Sequence, residues 1–384
     1  MLRVISLCDG LSGGLLAFKH LGVEVEYHAV EFDKHARNLS DHNFKDQIIR
    51  WCHDVTEITK EDIEFHGPFD WIIFGSPCQT LSVGGNGTGF HGKSGLLFDC
   101  VKVLEWCREY NPEIKYLIEN VKMKQEFLDQ FDLIVGNKQR ILINSSLMSA
   151  QKRERYYWTN FPVSLPEDTG EILYSILEPE VPKEYFRSPK NITTIPESRI
   201  CWDSSGKGFR SQADRAYPID GKSPCVQHNR PENKLNIFQF VDKEKAYCID
   251  SNYSKGSYNL KEYIQKCKRQ VVFGYSSSSR GNNVIEHRAN VSGKSNTLTT
   301  GDGCSGGNKT ATMVGDFINS ELVFRKLTVR ECARLQKIPD WYDFSPLSKT
   351  QAYKCIGNGW TITVIAHIIS FGLGLKELND EDLL

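Results

Sequence analysis

A thiol, a carboxylate and two guanidiniums lie along this chain at places where they can do chemistry. In "FDWIIFGSPCQTLSVGGNGTGFHGKSGLLFD" (69–99) an apolar run stops at Gly75, Cys78 follows directly on a proline, and six glycines fall between Gly84 and Gly95. A free thiol with a pKa of about 8.5 is largely protonated at neutral pH, so a nucleophilic cysteine needs amide dipoles or positive charge beside it. The loop at a strand end supplies these; a cysteine buried as a small hydrophobe is the competing reading. "YLIENV" (116–121) reads as an apolar strand ending in Glu119-Asn120, and "AQKRERYYW" (150–158) alternates Lys152, Arg153, Glu154 and Arg155 before an aromatic run. Alternation in an extended segment puts Arg153 and Arg155 on one face. Four such groups converging on one sheet edge point to a reaction rather than to packing.

A second set of residues suits a nucleoside-bearing ligand. "SLCDGLSGGLL" (6–16) is a small-residue crossing from strand to helix. In open parallel sheets ligands bind beyond the carboxyl ends of strands, where glycines admit close approach and helix N-termini offer free amides. Glu31 ends "HAVE" and Asp54 ends "RWCHD", so both carboxylates belong at the same edge. An acid after the second strand can accept from ribose hydroxyls, and one after the third from an adenine amine. Either acid alone would equally serve as a helix N-cap.

The elements that must hold these groups are legible as alternation. "RVISLC", "VEYHAVEF", "QIIRWCHDV", "FDWIIFGSPC" and "KYLIENV" are apolar runs separated by helical stretches, which predicts a doubly wound parallel sheet over residues 1–160. From about 176 to 320 the texture turns to Gly, Ser, Asn, Lys and Tyr in short segments, as in a loop-rich second domain. "IDGKSPCVQ" (219–227) and "VSGKSNTLTT" (291–300) share a Gly-Lys-Ser core, a weak internal echo. After 325, "KLTVRECARLQKIPDWY" reads as an amphipathic helix and "CIGNGWTITVIAHIISFGL" as a turn feeding an apolar helix that returns to the first domain.

Composition narrows the class. The 384 residues are 40% hydrophobic and 25% charged, enough for a sizeable core and roughly two domains at about 150 residues each. The formal charge of −1 hides an asymmetry, because residues 182–312 carry 21 Lys plus Arg against 12 Asp plus Glu while the rest carries 26 against 36. That basic stretch is suited to a polyanion. Met1 leads straight into "LRVISLCDG" without a basic n-region or long apolar stretch, so a cytoplasmic protein with no membrane association is expected. Twelve dispersed cysteines with no C-x2-C or C-x4-C pair read as reduced thiols, and no metal site is expected.

In order and spacing, "SLCDGLSGG", Glu31, Asp54, "GSPCQTLS", "ENV", "QKRER", "LTVRECARLQKIPD" and "GNGW" resemble the S-adenosylmethionine-dependent DNA cytosine C5-methyltransferases over nearly the whole chain except about 176–285. The catalytic half is similar to vertebrate de novo enzymes and the C-terminal motifs to bacterial or phage ones. Cys8 stands where the family has an aromatic, and Ser12 where it has its second glycine. The resemblance implies an α/β fold, with a doubly wound, Rossmann-like methyltransferase sheet and a smaller, loop-rich target-recognition domain. It would divide the chain into a catalytic and cofactor-binding part (1–175), a target-recognition domain (176–320) and a C-terminal segment returning to the first part (321–384).

The same resemblance implies the roles. Cys78 would add to C6 of a cytosine flipped out of duplex DNA, with Glu119 protonating or hydrogen-bonding N3, and Arg155 and Arg153 holding the base carbonyl and the backbone phosphate. The 84–95 loop would close over the base. Contacts to S-adenosyl-L-methionine would come from Cys8, Asp9, Gly10, Leu11, Ser12, Gly13, Glu31, Asp54, Val55, Pro77, Asn358, Gly359 and Trp360. Double-stranded DNA is the implied partner, acted on by a monomer, and a cognate restriction endonuclease is a further candidate. An RNA cytosine C5-methyltransferase and a catalytically silent DNA-binding relative are the alternatives; retention of Cys78, Glu119, Arg153 and Arg155 argues against the second.

Overall fold

The computed structural model describes residues 1–77, 95–187 and 327–377, together with residue 222 and the strands between 192 and 326. Cys78, residues 84–94 of the glycine-rich loop and the Gly-Lys-Ser segment at 293–300 lie outside the described residues. The chain divides into two compact units, one of residues 1–177, 222–233 and 329–384 and the other of residues 178–221 and 234–328.

The first unit is built on a seven-stranded sheet. Its strands are β1 (Leu2–Leu7), β2 (Val25–Val30), β3 (Ile48–Ile49), β4 (Trp71–Gly75), β5 (Lys115–Val121), β6 (Arg140–Asn144) and β7 (Glu154–Thr159). They lie in the order β3-β2-β1-β4-β5-β7-β6. The first five are parallel, as the apolar runs predict; β7 enters antiparallel to both β5 and β6. The third strand is shorter than "QIIRWCHDV" suggests. Beyond Ile49 the Trp51 indole donates to His28 Nδ1 at 3.1 Å and stacks on His66 at 4.6 Å, and Asp54 caps a short turn at Val55–Glu57. Local hydrogen bonding there wins over strand pairing.

Both faces of β4 are buried, and its side chains alternate between two layers. Ile72 and Phe74 join the core formed with α3 (Lys60–His66), α4 (Leu96–Tyr110) and α5 (Gln125–Val135), where Leu97, Cys100, Val103, Leu104 and Phe131 are buried. Trp71 and Ile73 face the other layer. There Trp71 meets Phe18 edge-on at 5.9 Å and Phe161 at 5.4 Å, and a Cβ added at Gly372 would strike its ring. That layer contains α1 (Gly13–His20) and the C-terminal helix.

The last residue of α2 (Lys34–Phe44) meets the return segment, Phe44 lying edge-on to Trp341 at 6.1 Å and Tyr342 at 5.9 Å. The chain then re-enters the unit through α6 (Val329–Leu335), α7 (Lys349–Asn358) and α8 (Ile362–Gly372). A capping box of Ser348 and Gln351 starts α7, and Thr59 with Asp62 does the same for α3. Eight of the eleven residues of α8 are buried, so the apolar turn-helix read from the sequence is a core helix. Among its described residues the second unit has one short 3-10 turn at Lys183–Tyr185 and two sheets, one six-stranded and one three-stranded, antiparallel apart from one parallel pairing.

The β6–β7 edge depends on Asp132 of α5. It is 4% exposed, accepts from the buried Trp158 Nε1 at 2.8 Å, and pairs with Arg140. Asp132→Ala leaves the indole N–H without a partner and should lower stability by about 1–3 kcal/mol. Asp132→Asn, which keeps an acceptor, should lose less. Urea denaturation of the two variants tests this, and equal losses would contradict it.

Candidate active site

The first crossing is shaped by backbone conformation. Cys8, Gly10 and Ser12 have φ of 51°, 61° and 61°, so the loop turns left-handed at alternate residues before α1 begins. For Cys8 and Ser12 this is a costly conformation that the surroundings must hold. Asp9 holds it from beneath: 8% exposed, it accepts from Tyr27 Oη at 2.7 Å and from Ser12 Oγ, which also meets Ser40 Oγ. Burial, the largest influence on Asp9, raises its pKa above the ordinary carboxylate range, against Arg50 and the Ser12 and Tyr27 hydroxyls, which lower it. Tyr342 Oη fixes the loop from the return segment by donating to Leu11 O at 2.9 Å.

The side chains of Asp9, Leu11 and Ser12 therefore face inward. Their side chains hold the loop's own shape. Cys8, half-buried, packs against the core, and its thiol hydrogen-bonds Cys100, which with burial pushes the Cys100 thiol well up.

Glu31 stands at the same edge. Its Oε2 accepts from Gly10 N and its Oε1 from Asp33 N, each at 2.7 Å, so one carboxylate ties the β1 loop to the β2 loop. Burial raises its pKa despite these amides. Asp54 Oδ1 accepts from Thr56 N at 3.0 Å and Thr56 Oγ1 at 2.9 Å, the N-cap role that the sequence left open, and Val55 is buried. Phe32, next to Glu31, is 75% exposed. The sequence reading passed over it, though an aromatic directly after a strand-end acid was a signal to be had.

The second group gathers on β4, β5 and β7. In the parallel register Gly75 faces Glu119, and in the antiparallel register Glu119 faces Tyr157. Glu119 is 8% exposed, and its Oε1 receives Arg155 Nε at 2.9 Å. Tyr157 is buried beside it, and burial followed by the Glu119 charge raises its pKa. Asn120 Nδ2 donates to Ser76 O at 3.3 Å and Ser76 Oγ at 3.1 Å, and so pins the Ser76-Pro77 segment that runs to Cys78. Asn120 was quoted from the sequence without a role; its place next to the acid is what gives it one.

Arg153 departs from expectation. It is 6% exposed and donates to Gly357 O at 3.2 Å and Gly359 O at 3.0 Å, at the C-terminal end of α7. Helix C-terminal carbonyls attract a cation, so Arg153 helps close α7. Gln336 Nε2 supports the same turn by donating to Ile356 O at 3.0 Å and Gly359 O at 3.3 Å. Asn358 is exposed, and Trp360, half-buried, follows. Its ring lies 3.6 Å from where a Cβ of Gly13 would be, which sets it against the left-handed loop.

This donor set fits a nucleoside-bearing cofactor. Gly10 has open space where a Cβ would stand, the Glu31 carboxylate borders the loop, and Phe32 beside it is largely exposed.

Comparison with known proteins agrees. A family model for C-5 cytosine-specific DNA methylases matches residues 2–371. The chain is 26% identical to the Type II methyltransferase M.FnuDI of Fusobacterium nucleatum, over 96% of this chain and 93% of that protein. It is 26% identical, with the same coverage, to the Type II methyltransferase M.HhaI of Haemophilus parahaemolyticus. Among solved structures, the Entamoeba histolytica methyltransferase EhMeth superposes with a TM-score of 0.58 at 14% identity, covering 98% of this chain and 99% of that one. The S. pombe Dnmt2 methyltransferase gives 0.56 at 15%, with the same coverage. The two structures share the α/β fold.

The raised Asp9 pKa has a consequence for stability. An unfolded aspartate ionises near pH ~4, so as pH rises past that value the unfolded chain releases its proton first and is favoured. Stability associated with Asp9 is full below about pH 4 and declines toward the higher folded value. Asp9→Asn cannot ionise. The melting temperature of the variant relative to wild type should therefore rise between pH 4 and pH 7, and a difference independent of pH would contradict the assignment.

Proposed function

This chain belongs to the C-5 cytosine-specific DNA methylase family, and from that premise we propose that it methylates C5 of a cytosine flipped out of duplex DNA, through a covalent bond between Cys78 and C6. The observation that carries the reading is the placement of Glu119: nearly buried, held at one oxygen by Arg155, and one strand from the segment that Asn120 pins on its way to Cys78. When bound, S-adenosylmethionine, the methyl donor general to the family, supplies an electrophilic methyl group.

The protein's own groups do the rest. Cytosine C5 is a weak nucleophile. Addition of the Cys78 thiolate to C6 turns the C5–C6 double bond into an electron pair available at C5, while charge develops toward N3 and the carbonyl. Arg155 holds Glu119 Oε1, which leaves Oε2 for N3, either as a proton donor or through a hydrogen bond. Arg155, paired through Nε, keeps a donor edge for the base carbonyl. Once C5 carries the methyl, the C5 proton leaves to a base and the S–C6 bond breaks, which restores the double bond and frees Cys78.

Several features support the remaining roles. The left-handed loop 8–12 and the start of α1 offer backbone to a cofactor, Glu31 and Asp54 are carboxylates suited to accept from ribose hydroxyls and a purine amine, and Phe32 offers a ring face to the purine. A base inside a duplex cannot reach these groups, so it must leave the stack at a cost of a few kcal/mol, and the 84–95 glycines suit a segment that closes over it. The basic balance of 182–312 suits phosphate contacts, with Asn, Gln, Ser, Thr and Arg available for base edges.

The test is methyl incorporation from labelled donor into duplex DNA and into transfer RNA, with wild type and Glu119→Gln side by side. We expect 5-methylcytosine in DNA and a loss of about 10²-fold or more in turnover for Glu119→Gln, the scale of a lost general acid. Preferential labelling of transfer RNA would replace DNA with RNA as substrate. Unchanged turnover in the variant at saturating substrate would remove Glu119 from the mechanism.

A further inference from the structure

Gly75 closes β4 opposite Glu119, and nothing in its backbone demands glycine, because its φ lies outside the left-handed region. Space demands it. A Cβ at this position would lie 2.9 Å from Glu119 Oε2, 3.0 Å from Trp360 Nε1 and 3.5 Å from Trp360 Cε2. Two side chains from distant parts of the chain thus meet over one bare Cα.

Neither neighbour can step aside without consequence. Glu119 is anchored through Oε1 to Arg155 Nε at 2.9 Å, so moving Oε2 turns the carboxylate about that anchor or breaks it. The Trp360 indole is rigid, and its far side is already close to the glycine loop: a Cβ at Gly13 would find Trp360 Cε3 at 3.6 Å and Ile362 Cδ1 at 3.5 Å. Trp360 therefore spans from the left-handed loop to the acid. Interiors packed this closely resist the addition of even one methyl group.

We infer that Gly75 is a positioning residue for the methyl-transfer reaction: its missing side chain is the space in which Glu119 Oε2 and the Trp360 indole come together, and it sets the acid against the wall of the cofactor site. The inference rests on the role given to Glu119 above. Added bulk at 75 moves the oxygen left free for the base, and pushes the indole toward Gly13.

The experiment is a double-mutant cycle in the full chain with Gly75→Ala, Trp360→Val and the pair, measuring turnover at saturating DNA, KM for DNA, the dissociation constant of S-adenosylmethionine and the melting temperature. Gly75→Ala should lower turnover by about tenfold or more, outweighing its effect on KM for DNA. Trp360→Val removes the indole nitrogen and the fused ring. Added to Gly75→Ala, it should therefore cost less than the two single losses combined, in both turnover and cofactor affinity. If Gly75→Ala does not fold, recovery of folding and turnover in the double variant supports the inference, and failure of both overturns it. Wild-type turnover in Gly75→Ala, or strictly additive losses, would also overturn it. An inactive wild type would instead defeat the functional reading, and additivity or rescue in cofactor affinity would still decide whether Gly75 holds the space for Trp360.

Discussion

Arg155 Nε lies 2.9 Å from Glu119 Oε1 across the antiparallel pairing of β5 and β7, and the arrangement of the site follows from that contact. A carboxylate this buried needs a charged or hydrogen-bonding partner. Arg155 supplies it from a strand that runs against the rest of the sheet, so the reversal of β7 is what brings a guanidinium to the acid. With Oε1 occupied, Oε2 is directed over Gly75 and beside Trp360. The neighbouring Asn120 fixes Ser76 and the path toward Cys78. One ion pair thus orients the acid, and the residue next to the acid fixes Ser76 at the end of β4.

Around this pair the C-terminal return does the work of a brace. Arg153 and Gln336 both donate to the carbonyls that end α7, and Tyr342 donates to Leu11 O. Through Arg153 and Tyr342, each more than 200 positions from its partner, distant parts of the chain therefore hold the turn that presents Trp360 and the loop that Trp360 packs against. Strain in that loop, at Cys8 and Ser12, is balanced by the buried network of Asp9, Tyr27 and Ser40. Rigid support of this kind suits a preorganised site.

Much of this was legible in the sequence, and the limits have physical causes. Alternating apolar runs gave the parallel strands, because burial on both faces leaves continuous Val, Ile, Leu and Phe. The apolar turn-helix at the C-terminus is similarly plain. The antiparallel entry of β7 was not legible, since alternation in "KRER" shows which residues share a face but not which strand lies opposite. Arg153 shows the same limit. Its partners include carbonyls of Gly357 and Gly359, which have no side-chain signature. Asp9 and Ser12 have types that suit a ligand equally well as they suit each other, and only burial separates the two uses. Gly75 carries no signal at all, because a residue required for its emptiness looks like any strand-end glycine until its neighbours are placed.

The most direct test of the covalent cytosine chemistry is trapping with duplex DNA that carries 5-fluorocytosine at the methylated position. Fluorine at C5 blocks the proton loss needed to release the enzyme, so the thioether to C6 persists and can be located by peptide mass spectrometry. The account predicts an adduct that depends on S-adenosylmethionine and maps to Cys78. An adduct on any other cysteine, or none from a preparation that methylates the unmodified duplex, would contradict it.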